Sequence, residues 1–86
     1  MRLDKYLKVS RLIKRRTEAK KACLAKCVKI SGQVAKAGDE VKIDDEIEIR
    51  FQSKIICVKV LKVPMKNVLA KQTESLYRIL KEVKQE

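Results

Sequence analysis

Residues 15–34 read RRTEAKKACLAKCVKISGQV, and the rhythm of the apolar residues changes partway along. Ala19, Ala22 and Cys23, with Leu24 beside them, recur at helical spacing. From Val28 the period is two: Val28-Lys29-Ile30 alternates, Ser31-Gly32 forms a turn, and Gln33-Val34-Ala35 returns. Glycine accepts positive φ at no steric cost, so Ser31-Gly32 reads as the tip of a hairpin. The stretch thus predicts a helix over roughly residues 16–25 that feeds a β-hairpin. Its basic run is interrupted by Thr-Glu-Ala because a helix begins there. Glu18 suits the positive end of the dipole, and Ala19 faces inward. Thr17 offers a hydroxyl that either caps the helix or contacts an anion. The first N–H groups of a helix have no intrahelical partner and form a natural phosphate cradle, here flanked by Arg15 and Arg16 and continued by Lys20 and Lys21.

On the N-terminal side, Leu3, Tyr6 and Leu7 fall at i, i+3 and i+4, predicting a short helix over residues 3–9 with Asp4 near its start. The small residues of the second helix let the two approach closely. If they form a hairpin, Lys8, Arg11 and Lys14 lie beside Arg15 and Arg16. On the C-terminal side, Ala37-Gly38-Asp39 is a turn signal. Val41 and Ile43 alternate around Lys42 as a strand until Asp44-Asp45 breaks the run. Ile47, Ile49 and Phe51 alternate with Glu46, Glu48 and Arg50, and Ile55 to Val63 forms a further strand with Lys59 and Lys62 wet. Pro64 ends it. Residues 66–72 carry no clear pattern. Leu76, Tyr77, Leu80 and Val83 share one helical face, predicting a C-terminal helix over 73–84 packed on the sheet, with Arg78, Lys81 and Lys84 toward solvent. The expected class is α+β: two N-terminal helices on a small antiparallel sheet, residues 1–63 forming the main unit and 64–86 a helical extension.

A chain of 86 residues predicts one domain with a compact core. With one Phe, two Tyr and no Trp, that core must be aliphatic, and platforms for stacking bases are scarce. The net charge is +11 and unevenly spread: residues 1–37 hold twelve Lys/Arg against two acids. Such asymmetry suggests a face for a polyanion; a merely solvated basic surface is the plainer alternative. No run of roughly 18 apolar residues predicts a membrane span, and MRLDKYL lacks the features of a signal peptide. A cytoplasmic protein is expected, with Cys23, Cys27 and Cys57 as reduced, small packing residues rather than metal ligands. There is no histidine, glycine-rich phosphate loop or ligand cluster, and the acids at 44–48 lie in a turn and on a strand's wet face. Neither catalysis nor a cofactor is expected.

RLDKYL, RRTEAKKA, VKISGQV and DEVKIDDEIEI, in this order over about residues 2–50, resemble the S4 RNA-binding domain. The resemblance implies two helices on a small antiparallel sheet, with structured RNA bound by the helix pair and the hairpin turn. Three positions depart from the family pattern. Arg15 stands where Ser often precedes the helix, Ser31-Gly32 where Asn-Gly is common, and Asp44-Asp45 where Gly-Asp is common. The whole chain is similar to stand-alone S4 proteins of ribosome-associated quality control, the RqcP family, which are related to a ribosome-binding heat-shock protein of fifteen kilodaltons. That likeness implies a monomer that binds dissociated large ribosomal subunits carrying peptidyl-tRNA and contacts both ribosomal RNA and tRNA. It also implies support of an NFACT-type elongation factor that adds C-terminal alanines.

Carried onto this chain, the resemblance makes Arg2, Asp4 and Arg16 the first RNA-binding candidates. Thr17, Lys20, Lys8, Arg11, Arg15, Lys14 and Lys21 follow, then Ser31 and Gly32. Arginine grips phosphates and bases bidentately. Asp4 either orients a neighbouring arginine, accepts a base or ribose proton, or simply starts a helix. Each lysine reads equally as a solvated charge, and Ser31-Gly32 reads more readily as a plain turn than as a contact with RNA. Other readings remain: a general heat-shock-type ribosome binder, a detached S4 appendage of an RNA-modifying enzyme, and a nonspecific DNA binder. A start at Met1 and a closing helix of its own are expectations against the appendage.

Overall fold

The computed structural model describes residues 1–64 and 76–84. Two helices, α1 (Leu3–Val9) and α2 (Arg16–Leu24), precede five strands: β1 (Val28–Ile30), β2 (Gln33–Val34), β3 (Glu46–Arg50), β4 (Lys54–Val60) and β5 (Tyr77–Lys84). The strands form one sheet in the order β2-β1-β3-β4-β5, every pair antiparallel.

Strand alternation sets the layers. Val28 pairs with Ile49 and Ile30 with Ile47, while Ile49 and Ile47 pair with Ile56 and Val58 of β4. These side chains share one face, and Leu3, Tyr6, Leu7, Ala19 and Cys23 of the helices complete the core against it. Lys29, Glu48 and Cys57 line the other face, in register with one another. The core is aliphatic apart from Cys23 and Tyr6, and the Tyr6 hydroxyl donates to the Leu76 carbonyl at 2.7 Å. That carbonyl also accepts the N–H groups of Leu61 (2.9 Å) and Lys62 (3.2 Å). The start of the last strand is thereby tied both to α1 and to the chain leaving β4.

The hairpin tip takes the form the sequence implies. Ile30 opposes Gln33, leaving Ser31 and Gly32 as a two-residue loop at φ 50° and 86°. Positive φ at both positions is the primed turn that matches strand twist.

Three expectations are corrected. Val41 and Ile43 do not alternate in a strand. Val41 is buried and donates its N–H to the Met1 carbonyl at 2.9 Å, whereas Ile43 is exposed in a tight turn. The Asp45 carboxylate accepts the Lys42 N–H at 2.8 Å, and Asp44 sits at φ 74°, a conformation a short acid tolerates. The strand foreseen over 55–63 runs from Lys54 to Val60. Most consequentially, residues 77–84 are not helical; they form the edge strand β5. The cause lies in the register: Cys57 opposes Lys81 while Val58 opposes Ile79, so Leu80 is an extra residue in a bulge. A bulge stretches the two-residue spacing from Cys57 to Lys59 into the three-residue spacing from Lys81 to Arg78, which imitates helical periodicity. Residues 65–75, where the extension and the first turn of that helix were expected, lie outside the described residues.

Candidate nucleic-acid interface

The N-terminus of α1 is closed by backbone. Leu3 N–H donates to the Asp39 carbonyl at 2.7 Å and Asp4 N–H to that of Ala37 at 3.1 Å. The backbones of Arg2 and Glu40, on the same segment, pair in an isolated antiparallel β-bridge. That helix end therefore has no N–H groups to offer an anion. The N-terminus of α2 differs. Arg15 occupies the N-cap in extended conformation without a side-chain cap, and the first intrahelical bond runs from Ala19 N–H to the Arg15 carbonyl at 3.0 Å. The N–H groups of Arg16, Thr17 and Glu18 lie ahead of that ladder on exposed residues. Thr17 is one of them and does not cap.

Asp4 joins the two helices. Its side chain is fully buried, yet it carries two ion pairs, to Arg2 Nε at 3.3 Å and to Arg16 Nε at 3.1 Å. Lys5 N–H donates to Oδ1 at 2.9 Å. Burial favours the neutral acid, but the Arg16 hydrogen bond, the Lys5 N–H and the charges of Arg16 and Arg2 outweigh it and hold the carboxyl below its ordinary value. Asp4 is thus an ionised anchor. Being inaccessible, it accepts no proton from a ligand; of its possible roles, the geometry fits orienting arginines. Both arginines reach it through Nε, so their terminal nitrogens can point elsewhere. Each arginine remains about half exposed.

Lys5, Lys8 and Arg16 line a shallow polar depression with Val9. Lys5 is absent from the sequence-based set, although its spacing of three from Lys8 on an amphipathic helix was a usable signal. Gly38 was missed as well: it underlies Arg2, whose Nη2 lies 3.8 Å from where a Cβ would sit. Lys14, Arg15, Lys20 and Lys21 are exposed before and along α2. Arg11 is exposed just after α1 at φ 64°, the left-handed position that ends the helix. Ser31 and Gly32 do not join this cluster. They border a hollow with Lys29, Glu46, Glu48 and Cys57, on the sheet side that carries acids.

The cysteines are free thiols. Burial, with Asp4 and Asp39 nearby, pushes the Cys23 thiol up to about 11, so it stays protonated and packs. Burial and Glu48 raise that of Cys57. No described helix is long and apolar enough to cross a membrane.

The S4 domain family matches residues 1–47. The RQC P-site tRNA stabilizing factor of Streptococcus pneumoniae is 46% identical over 87 residues, covering 100% of this chain and 97% of its own. That of Bacillus subtilis is 47% identical over 85 residues, covering 98% and 96%. Among solved structures, trimeric heat shock protein 15 of Vibrio cholerae superposes with a TM-score of 0.82 at 29% identity, covering 92% of this chain and 80% of its own. The fold, the motifs and these whole-length likenesses agree: the chain belongs to the S4 domain family and, within it, to the RQC P-site tRNA stabilizing factors.

Proposed function

We propose that this protein is a non-enzymatic, cytoplasmic RNA-binding factor of ribosome-associated quality control. It binds large ribosomal subunits that carry peptidyl-tRNA, contacts ribosomal RNA and tRNA, and steadies the tRNA while an NFACT-type factor adds C-terminal alanines. It acts as a monomer whose residues 1–63 bind RNA. The observation that carries this reading is the Arg2–Asp4–Arg16 cluster. A buried carboxylate fixes two half-exposed guanidinium groups beside Lys5 and Lys8 and the open N-terminus of α2. Arginines pre-set through Nε and about half exposed suit contacts to phosphates and bases. The relatives' name, with its P-site tRNA, supports the tRNA part of the reading.

In this reading Arg2 and Arg16 grip RNA and Asp4 positions them. Thr17, Lys20, Lys8, Arg11, Arg15, Lys14 and Lys21 add backbone contacts, and Ser31-Gly32 approaches RNA at a second point. The test is sedimentation with large subunits, with and without trapped peptidyl-tRNA. Preferential binding to tRNA-bearing subunits is expected, and Arg16→Ala should weaken it and flatten the log K against log salt slope by roughly 0.7–0.9 per lost phosphate contact. Equal binding to both subunit forms would remove the tRNA role and leave a general ribosome binder of the heat-shock type. Loss of circular dichroism in Arg16→Ala would make Arg16 structural.

A further inference from the structure

We propose that an apolar hollow at the C-terminal end of α2 receives an unstacked nucleobase of the RNA lying along that helix. The inference rests on the RNA-binding reading of α2 and extends it to a site outside the arginine cluster. Cys23, Leu24, Lys26, Val34, Ala35, Lys36 and Ala37 line the hollow, whose volume is about 330 Å³. Leu24 and Val34 are 83% and 52% exposed, so the described residues leave them uncovered. Two lysines stand among these apolar side chains and no acid does.

Position argues for RNA as the occupant. Arg16, Lys20 and Leu24 follow one another at i, i+4 and i+8, so the basic stripe of α2 leads straight into the hollow. A strand whose phosphates track that stripe brings its next bases to Leu24. An unstacked base presents an apolar face bracketed by phosphates. The hollow answers with an apolar lining that also includes Lys26 and Lys36. A protein side chain would answer the two lysines only with acids placed beside it, whereas every nucleotide brings its own phosphate.

The backbone adds a second reason. α2 ends in a Schellman motif: Cys27 N–H donates to the Ala22 carbonyl at 2.9 Å and Lys26 N–H to that of Cys23 at 3.0 Å. The residue at the left-handed position of this motif is usually glycine, yet here Lys26 holds φ 61°. A charge is kept at the rim of the hollow where the backbone alone favours no side chain.

The test uses the full chain with large subunits carrying peptidyl-tRNA. Leu24→Ser, at an exposed site, should weaken binding by roughly fivefold while leaving the salt slope unchanged, because an apolar contact releases no counterions. Lys26→Gly should raise the melting temperature yet weaken binding and flatten the slope. A photoreactive benzophenone amino acid in place of Leu24 should crosslink to RNA, giving a nuclease-sensitive product. Unchanged affinity of Leu24→Ser, no crosslink, or a crosslink to a ribosomal protein would each overturn the proposal. If Arg16→Ala weakens binding and Leu24→Ser does not, only the hollow is lost. If the unaltered protein fails to bind, the RNA reading falls first.

Discussion

Replacing Asp4 by Asn separates two views of the basic face, because they predict opposite signs. If the face acts only through its total charge, removing an acid strengthens binding to a polyanion. If Asp4 works by holding Arg2 and Arg16, Asp4→Asn weakens it. The stability effect follows from the geometry. The ion pairs are 3.3 and 3.1 Å long, and at an effective dielectric constant of about 20 each attracts by roughly 5 kcal/mol. Most of that is cancelled by the lost hydration of a buried carboxylate, several kcal/mol, and by solvent around half-exposed guanidinium groups. A net contribution of roughly 1–2 kcal/mol remains for the cluster. Asparagine retains one acceptor, but its amide turns donors toward an arginine, so a loss of about 2 kcal/mol is expected in urea unfolding. A double-mutant cycle with Arg16→Ala should give a coupling of about 1 kcal/mol, since either substitution removes the same contact. Tighter subunit binding by Asp4→Asn, together with additive stabilities, would refute the positioning role.

The acid limb of stability should report the same residue. Asp4 is held below 3.8, so its contribution is complete above the unfolded-state value and is lost as pH falls through the lower folded value; stability measured below about pH 4 should drop more in the unaltered protein than in Asp4→Asn. Ser31→Asn should stabilise by roughly 0.5 kcal/mol in denaturant titrations, because Ser31 holds φ 50° in a turn that asparagine adopts more readily; a lower midpoint would contradict the turn assignment. Tyr6→Phe should cost about 1 kcal/mol by the same measurement, since it deletes the 2.7 Å bond to Leu76, and no change would mean that this bond does not hold the last strand.

The helices and the hairpin were legible because their signals are local. Leu3, Tyr6 and Leu7 mark one helix face, Thr-Glu-Ala marks the next start, and Ser31-Gly32 marks a turn that few residue pairs make. Glu46 to Arg50 alternates cleanly because β3 buries one face only. The errors arose where structure depends on distant partners. Val41 is buried by the chain at Met1, so its neighbour Ile43 has no core to face. Residues 77–84 offer aliphatic positions that suit helix and bulged strand alike. β4 decides between them, because its open edge has a ladder of hydrogen bonds to satisfy. In the candidate site, the basic residues of α2 could be read directly. The role of Asp4 could not, since spacing alone does not show that Arg2 and Arg16, fourteen residues apart, converge on one carboxylate.

Sequences agree with their folds at most positions, and disagreements concentrate where a residue is retained for something other than folding. In the helical layer they are Asp4, a charge with no solvent access, and Arg11 and Lys26, cations at φ 64° and 61° where glycine fits more easily. All three are charged, and the cations each close a helix. In the sheet layer they are Ser31 and Asp44, small polar residues of tight turns, for which turn geometry is reason enough. Left-handed arginine and lysine have no such account. Their carbonyl-satisfying hydrogen bonds would form equally well with glycine. Keeping a cation at both helix ends therefore argues that the helical layer, more than the hairpin tip, is shaped for a polyanion. It also makes Arg11→Gly the natural companion to Lys26→Gly: each should stabilise the chain while weakening its hold on the ribosomal subunit.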